Sequence, residues 1–442
     1  MLELFRQKTP LSCLLLGLLE RCFSAERLDQ IFLENAQAQY TKELLFSTVC
    51  ELMLSVVLKI HPSVNAAYQK SPKLPGATVS ALYEKLKGVE LTVSRALLRD
   101  TSSDLSGILD ALGLKPEPWL PGYPVRILDG NCLAAGEKRL AVNKNASGAA
   151  LPGKSLVVMD PERRLMLDVF PCENGHAQER RLLDAVAGTM RAGEVWIADR
   201  NFCTVGFLAS IHAHKAYALI RQHKNLPFTE DPPFSLADGD AERRVLEQGI
   251  TVDGRQYRRV RVELVRPTRD GDSSIDIVCD LPPEISAAAI AALYRKRWTL
   301  ETAFQQVEKY FKSEIETLAY PKAALFGFAL ALVADHIFSV MLSALDCAHE
   351  KPVSKDISGY YVANEIAATF LALIQLTDAA EWGFVAACSP AEFAAWLRET
   401  ASHVRLQTLK KHRRGPKMPK SKPPYDPKQP HVSTDQLLKS KA

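Results

Sequence analysis

Apolar residues recur along this chain with two periods, and the change from one to the other divides it. Up to about residue 118 the spacing is helical: Leu28, Ile31 and Phe32 form one set, and Leu52, Leu54, Val57 and Leu58 continue the pattern. Ser80 reads as a cap before a helix over 81–87, Gly88 as its stop, and 93–98 as another short helix. Two short helices joined across a glycine suit either a helical bundle or a helix-turn-helix. The segment Lys115-Pro-Glu-Pro-Trp-Leu-Pro-Gly-Tyr-Pro124 then reads as a linker.

From Tyr123 strands and helices alternate. The strands are predicted at 125–128, 155–159, 164–170, 195–198 and 217–221, with Asp160-Pro161-Glu162 as the turn between the second and third. Helices are predicted over 177–190 and 205–216. Residues 225–282 read as β-rich. Within them Val260, Val262 and Leu264 alternate with Arg259, Arg261 and Glu263. A further helix begins near Ile285. After Leu345 the texture is helical again, and Ser389-Pro390-Ala391-Glu392 reads as a capping box opening a helix to about His403.

At 442 residues two or three domains are expected. The net charge of +4 is unevenly spread: residues 410–428 hold eight Lys/Arg against one Asp, a local +7. That Lys/Arg/Pro-rich tail cannot bury a core and is expected to be disordered when free. Nine cysteines without CxxC spacing predict no disulfide framework and a reducing compartment, so the expected location is the cytoplasm. Cys172 with His176, and His212 with His214, lack further partners at zinc spacing. The apolar run 325–334 meets Asp335 and His336, which predicts a buried helix instead of a membrane span, and 11–19 predicts an N-terminal helix.

Two apolar runs end in aspartate: Val125-Arg-Ile-Leu-Asp129-Gly-Asn and Val195-Trp-Ile-Ala-Asp199-Arg-Asn-Phe202. Both predict buried strands that deliver a carboxylate at their ends. Downstream, Tyr294, Arg297 and Glu301 stand at offsets 0, +3 and +7, returning to one side of a helix. Leu300, Phe304, Val307 and Phe311 form a separate apolar stripe. Asp160, Asp168 and Asp280 also end or interrupt strands, and spacing alone does not exclude them.

Taken together, these three blocks resemble the DDE transposases of bacterial insertion sequences. The group in question is the insertion-sequence-four group, marked by a Tyr-x2-Arg-x3-Glu-x6-Lys helix. Asp199-Arg200-Asn201-Phe202 matches the family's second element, and the resemblance spans about residues 120–345. It selects Asp129, Asp199 and Glu301 as catalytic and metal-holding acids. The signature lysine falls on Glu308, and Lys312, eleven residues after Glu301, returns to nearly the same helical angle. The fold class implied is α/β, an RNase H-like mixed sheet with a β-rich insertion and helical flanks.

The corresponding division is 1–118, helical and suited to DNA ends; 119–224 with 283–345, the core; 225–282, the insertion; 346–409, C-terminal helices; and 410–442, the basic tail. By resemblance the cofactor is two Mg²⁺ ions, with Mn²⁺ as substitute, and three carboxylates are suitably hard ligands. Tyr294 and Arg297 would hold DNA phosphates, unless Arg297 pairs internally with Glu301. From the residues themselves, Trp298 suits either stacking on an unpaired base or core packing, Arg200 either substrate or Asp199, and Lys312 a cation beside bound DNA. Six arginines between 255 and 269, Arg259 and Arg261 among them, offer either a DNA-backbone surface or a solvated strand face. The implied partners are double-stranded DNA (terminal inverted repeats and target) and a second copy of the chain in a synaptic dimer, with no membrane. A metal-dependent nuclease without strand transfer and an inactive DNA-binding protein are the alternatives.

Overall fold

A computed structural model describes the chain except residues 40–43, 72–76, 114–116, 135–139, 144–149, 232, 241–242, 269–270, 316–317, 351, 412–414, 416–431 and 441–442. Seven helices come first: α1 (Leu2–Lys8), α2 (Pro10–Cys22), α3 (Ala25–Asn35), α4 (Phe46–Val57), α5 (Val64–Lys70), α6 (Val79–Gly88) and α7 (Leu91–Leu112). The next elements build the sheet: β1 (Val125–Cys132), β2 (Lys154–Asp160), β3 (Leu165–Cys172), β4 (Val195–Ala198) and β5 (Tyr217–Arg221), with α8 (Leu183–Ala187) and α9 (Val205–Ala213) between its later strands. β1, β2 and β3 form an antiparallel meander, whereas β4 and β5 run parallel to β1.

The order β3-β2-β1-β4-β5 is consistent with an RNase H-like core. The β-rich stretch after it extends the same sheet. Its strands are β6 (Thr229–Glu230), β7 (Ser235–Asp240), β8 (Arg243–Val252), β9 (Arg255–Glu263) and β10 (Ser274–Cys279). β10 pairs antiparallel with β5, so one mixed sheet of ten strands results.

Period-two alternation along the strands feeds two cores. Val125, Ile127, Val157, Met159, Val195 and Ile197 pack on one face with the N-terminal helices. Leu128, Leu156, Val158, Trp196 and Ala198 pack on the other, with Leu183, Val186, Phe207 and Ile211 of α8 and α9. Burial on both faces explains why these strands read as continuous apolar runs. Two further helices follow, α10 (Ala287–Arg295) and α11 (Thr299–Tyr310). The long α12 (Pro321–Ala348) comes next and is buried almost without interruption from Pro321 to Met341. It is apolar enough to cross a membrane, but its residues are spent on the core. The C-terminal helices α13 (Gly359–Leu376), α14 (Ala379–Ala387) and α15 (Pro390–Ser402) complete the main body. α15 opens with the capping box expected at Ser389 and Glu392.

Several elements depart from expectation. α7 is one helix of 22 residues, because Val93, Leu97, Thr101, Leu105, Ile108 and Leu112 extend a single buried stripe. Its Arg95 donates to both oxygens of Asp168 on β3, each at 2.8 Å, and lies over the Phe170 ring. The second helix therefore runs well past the 93–98 expected of it and packs one face on the sheet. The helix expected over 177–190 is a 3₁₀ turn, Glu179–Leu182, followed by the short α8, and the one expected over 205–216 ends at Ala213. The basic stretch 412–431 lies outside the described residues apart from Gly415. Within the tail expected to be disordered, Val432–Ser433 pairs with Ala150–Leu151, and α16 (Thr434–Lys439) begins with buried Thr434 and Asp435.

Candidate active site

Asp129 and Asp199 leave the same edge of the core. The parallel register pairs Leu128 with Ala198, so the next residue on each strand is an aspartate beside the other. Adjacent strands lie about 4.8 Å apart, which brings two carboxylates into one neighbourhood. β4 stops at Ala198, and Asp199 begins a 3₁₀ turn, Arg200–Phe202, anchored by the buried Phe202 ring. On β1 the chain continues, and the Gly130 amide donates to Asp129 Oδ1 at 2.9 Å.

The third acid arrives on a broken helix. α10 is capped by Ser286, whose hydroxyl accepts from the Ala289 amide, and it ends at Arg295. A 3₁₀ turn, Lys296–Trp298, links it to α11. That turn sends neighbouring side chains apart: Arg297 is buried, whereas Trp298 is 60 % exposed. Arg297 Nη1 donates to Asp129 Oδ2 at 2.7 Å, and Nη2 donates to Glu301 Oε1 at 2.8 Å. One guanidinium therefore joins the first acid to the third, with the charge of Asp199 also reaching it.

Burial pushes Asp129 up to about 6, against the pull of Arg297 and the Gly130 amide, and Glu301 and Asp199 push it further in the same direction. Three acids around a single buried cation thus carry surplus negative charge. Among the described residues no three Asp, Glu, His or Cys side chains are grouped closely enough to ligate one ion as they stand. The space between Asp129 and Glu301 is filled by Arg297.

The competing acids are engaged elsewhere. Asp160 accepts from the amides of Glu162 and Arg163 and pairs with Arg126. Asp168 is held by Arg95, and Asp280 accepts from the Ala218 amide at 2.6 Å. Each performs a structural task.

The other predicted residues fall into two groups. Trp298 borders the acids, with the Arg297 guanidinium 4.8 Å from its ring centroid, and its exposure excludes a core role. Arg200 is 3.9 Å from Asp272, which also takes Arg221 at 2.6 Å. Tyr294 is buried, its hydroxyl 3.5 Å from the Ala198 carbonyl, so it packs against the strand end. Lys312 does not share the face of Glu301. α11 ends at Tyr310, and Lys312 instead donates through Nζ to the Pro62 carbonyl at 2.9 Å. Arg259 and Arg261 both pair with Asp276, and Arg259 is buried. The alternation that suggested a solvated arginine face fails there because Phe228 and Phe234 cover the guanidinium groups.

Residue-by-residue reading missed Glu179. Its carboxylate accepts from Asn201 Nδ2 at 2.7 Å, two residues beyond Asp199. Nothing distinguishes it in sequence from any acid on an amphipathic segment.

Comparison with known proteins points to the same stretch of the chain. Residues 120–333, which carry all three acids, match the family described as Transposase DDE domain. A 195-residue stretch is 25 % identical to y4zB of Sinorhizobium fredii, a protein provisionally named a transposase. That stretch covers 42 % of this chain and 52 % of the relative, so the chain spans about half the length of the curated relative it matches. Both similarities are to transposases, the first to a DDE domain.

Proposed function

We propose that this chain is a DNA transposase that cleaves the ends of its element and joins them to target DNA, with Asp129, Asp199 and Glu301 as its catalytic acids. The observation that carries the reading is the Arg297 bridge between Asp129 and Glu301, with Asp199 on the adjacent strand end. Three acids from distant parts of the chain lie around one buried cation, which offsets only part of their charge. Carboxylate oxygens suit Mg²⁺ or Mn²⁺, so the donor set fits two such ions once Arg297 gives up at least one of its bonds. When bound, the ions would activate the attacking oxygen and stabilise the leaving one.

The chain's own groups prepare that chemistry. Phosphodiester hydrolysis puts a water oxygen on phosphorus and releases a 3′-hydroxyl, and in the joining step that hydroxyl attacks a target phosphate. Arg297, released from the carboxylates, offers a planar fork of donors to a phosphate. Trp298 presents an exposed ring suited to stacking on an unpaired base. Tyr294 acts from beneath, packing the 3₁₀ turn against the end of β4. The partners are double-stranded DNA and a second copy of the chain, since two ends must be brought together.

The test supplies the full chain with DNA carrying its element's own terminal repeats and Mg²⁺. Nicked or hairpin ends and products joined to target are expected, all abolished by Asp199→Ala. Cutting without joining would reduce the function to that of a nuclease. Binding without cutting would overturn the enzyme reading.

A further inference from the structure

The 3₁₀ turn Glu179–Leu182 does more than connect β3 to α8. Glu179 reaches both strand ends that carry an aspartate. One carboxylate oxygen, Oε2, accepts from Asn201 Nδ2 at 2.7 Å. The other, Oε1, rests against Gly130, so close that a β-carbon built there would meet it at 2.3 Å. The neighbouring Arg180 Nε donates to the Asn201 carbonyl at 2.6 Å, fixing the same turn a second time. Gly130 follows Asp129 directly, and Asn201 lies two residues after Asp199.

We infer that Glu179 is a positioning residue, a clasp that sets the spacing of Asp129 and Asp199. The inference deepens the proposed function and rests on it. Three features converge on this role. The contact with Gly130 requires an absent side chain, and it lies on the strand of the first acid. The hydrogen bond to Asn201 ties the turn of the second. Both are made by one carboxylate, so a shift of either strand end is transmitted to the other. Loss of a residue that orients ligating carboxylates from behind typically costs about ten- to a hundredfold in metal affinity.

The experiment measures the Mg²⁺ concentration at half-maximal thermal stabilisation of the full chain, and separately that for half-maximal cleavage. Glu179→Ala should raise both by about tenfold, the low end of what loss of an outer-shell partner costs. Glu179→Gln, which keeps an oxygen for Asn201, should recover most of the loss, and Asn201→Ala should reproduce it. Gly130→Ala should be deleterious in the wild-type background and add little once residue 179 is alanine, because the collision is gone.

An unchanged Mg²⁺ midpoint in folded Glu179→Ala would overturn the clasp. So would a Gly130→Ala penalty of equal size in both backgrounds. A wild-type chain that neither responds to Mg²⁺ nor cuts DNA would instead overturn the underlying transposase reading, and the clasp with it.

Discussion

Arg297 is where structure and chemistry meet most closely. Its guanidinium is buried and satisfied by two carboxylates, and its neighbour Trp298 faces solvent. A buried cation with two acidic partners is costly to remove, because both acids are then left facing each other without compensation. Glu301 is one-third exposed, which dilutes its share. Arg297→Ala should therefore destabilise the metal-free chain by about 3 kcal/mol, the lower end for breaking a buried pair. Mg²⁺ should restore part of that loss, since a cation would again stand among the acids. Thermal melts of wild type and variant, with and without Mg²⁺, check both effects. Equal stability without metal would show that the bridge contributes nothing.

Two neighbouring titratable residues are buried in helix α12, Asp335 and His336, and they behave differently. His336 Nε2 accepts from the Met166 amide at 2.8 Å, and burial pushes the imidazole down to about 3, so it serves as a neutral acceptor. Burial pushes Asp335 up to about 7, with Arg164 pulling the other way. An unfolded aspartate titrates near 3.9, so between that pH and 7 the folded chain keeps a proton that the unfolded chain has lost. Asp335 thus favours folding at low pH, and the contribution disappears as pH rises through about 7. Asp335→Asn should be more stable than wild type at pH 8, with the difference narrowing toward pH 5. Denaturant melts across that range test it, and a gap that widens toward acid would contradict the assignment.

Much of this element structure was legible in the sequence. The strands over 125–128, 195–198 and 217–221 announced themselves through short apolar runs, because both sheet faces are covered. Both aspartates were legible for the same reason, standing where such runs stop. The break at Lys296–Trp298 was not, since a single 3₁₀ turn barely alters residue spacing yet reverses which neighbour is buried. Lys312 misled because helical phase was extrapolated past the real end of α11. Arg259 misled because strand alternation assigns a face but does not reveal the aromatic rings that cover it.

In the molecule as a whole, a ten-stranded sheet is covered by helices on both faces, and one continuous core joins the N-terminal helices, α12 and the C-terminal helices. The N-terminal region is therefore part of the body that supports β1 and β3, tied there by Arg95 and Asp168. This explains how acids 102 positions apart, Asp199 and Glu301, can share one site despite the long β-rich stretch between them. That stretch adds strands beyond β5, so β1 and β4, which carry the two aspartates, remain neighbours inside the sheet.

In the proposed function the three carboxylates work as a single cation-holding pocket. Titration of Mn²⁺ into the DNA-bound protein, followed by electron paramagnetic resonance, tests it most directly. Tight Mn²⁺ binding should be lost in each of Asp129→Asn, Asp199→Asn and Glu301→Gln, with circular dichroism unchanged. Undiminished Mn²⁺ binding in all three folded variants would contradict the account.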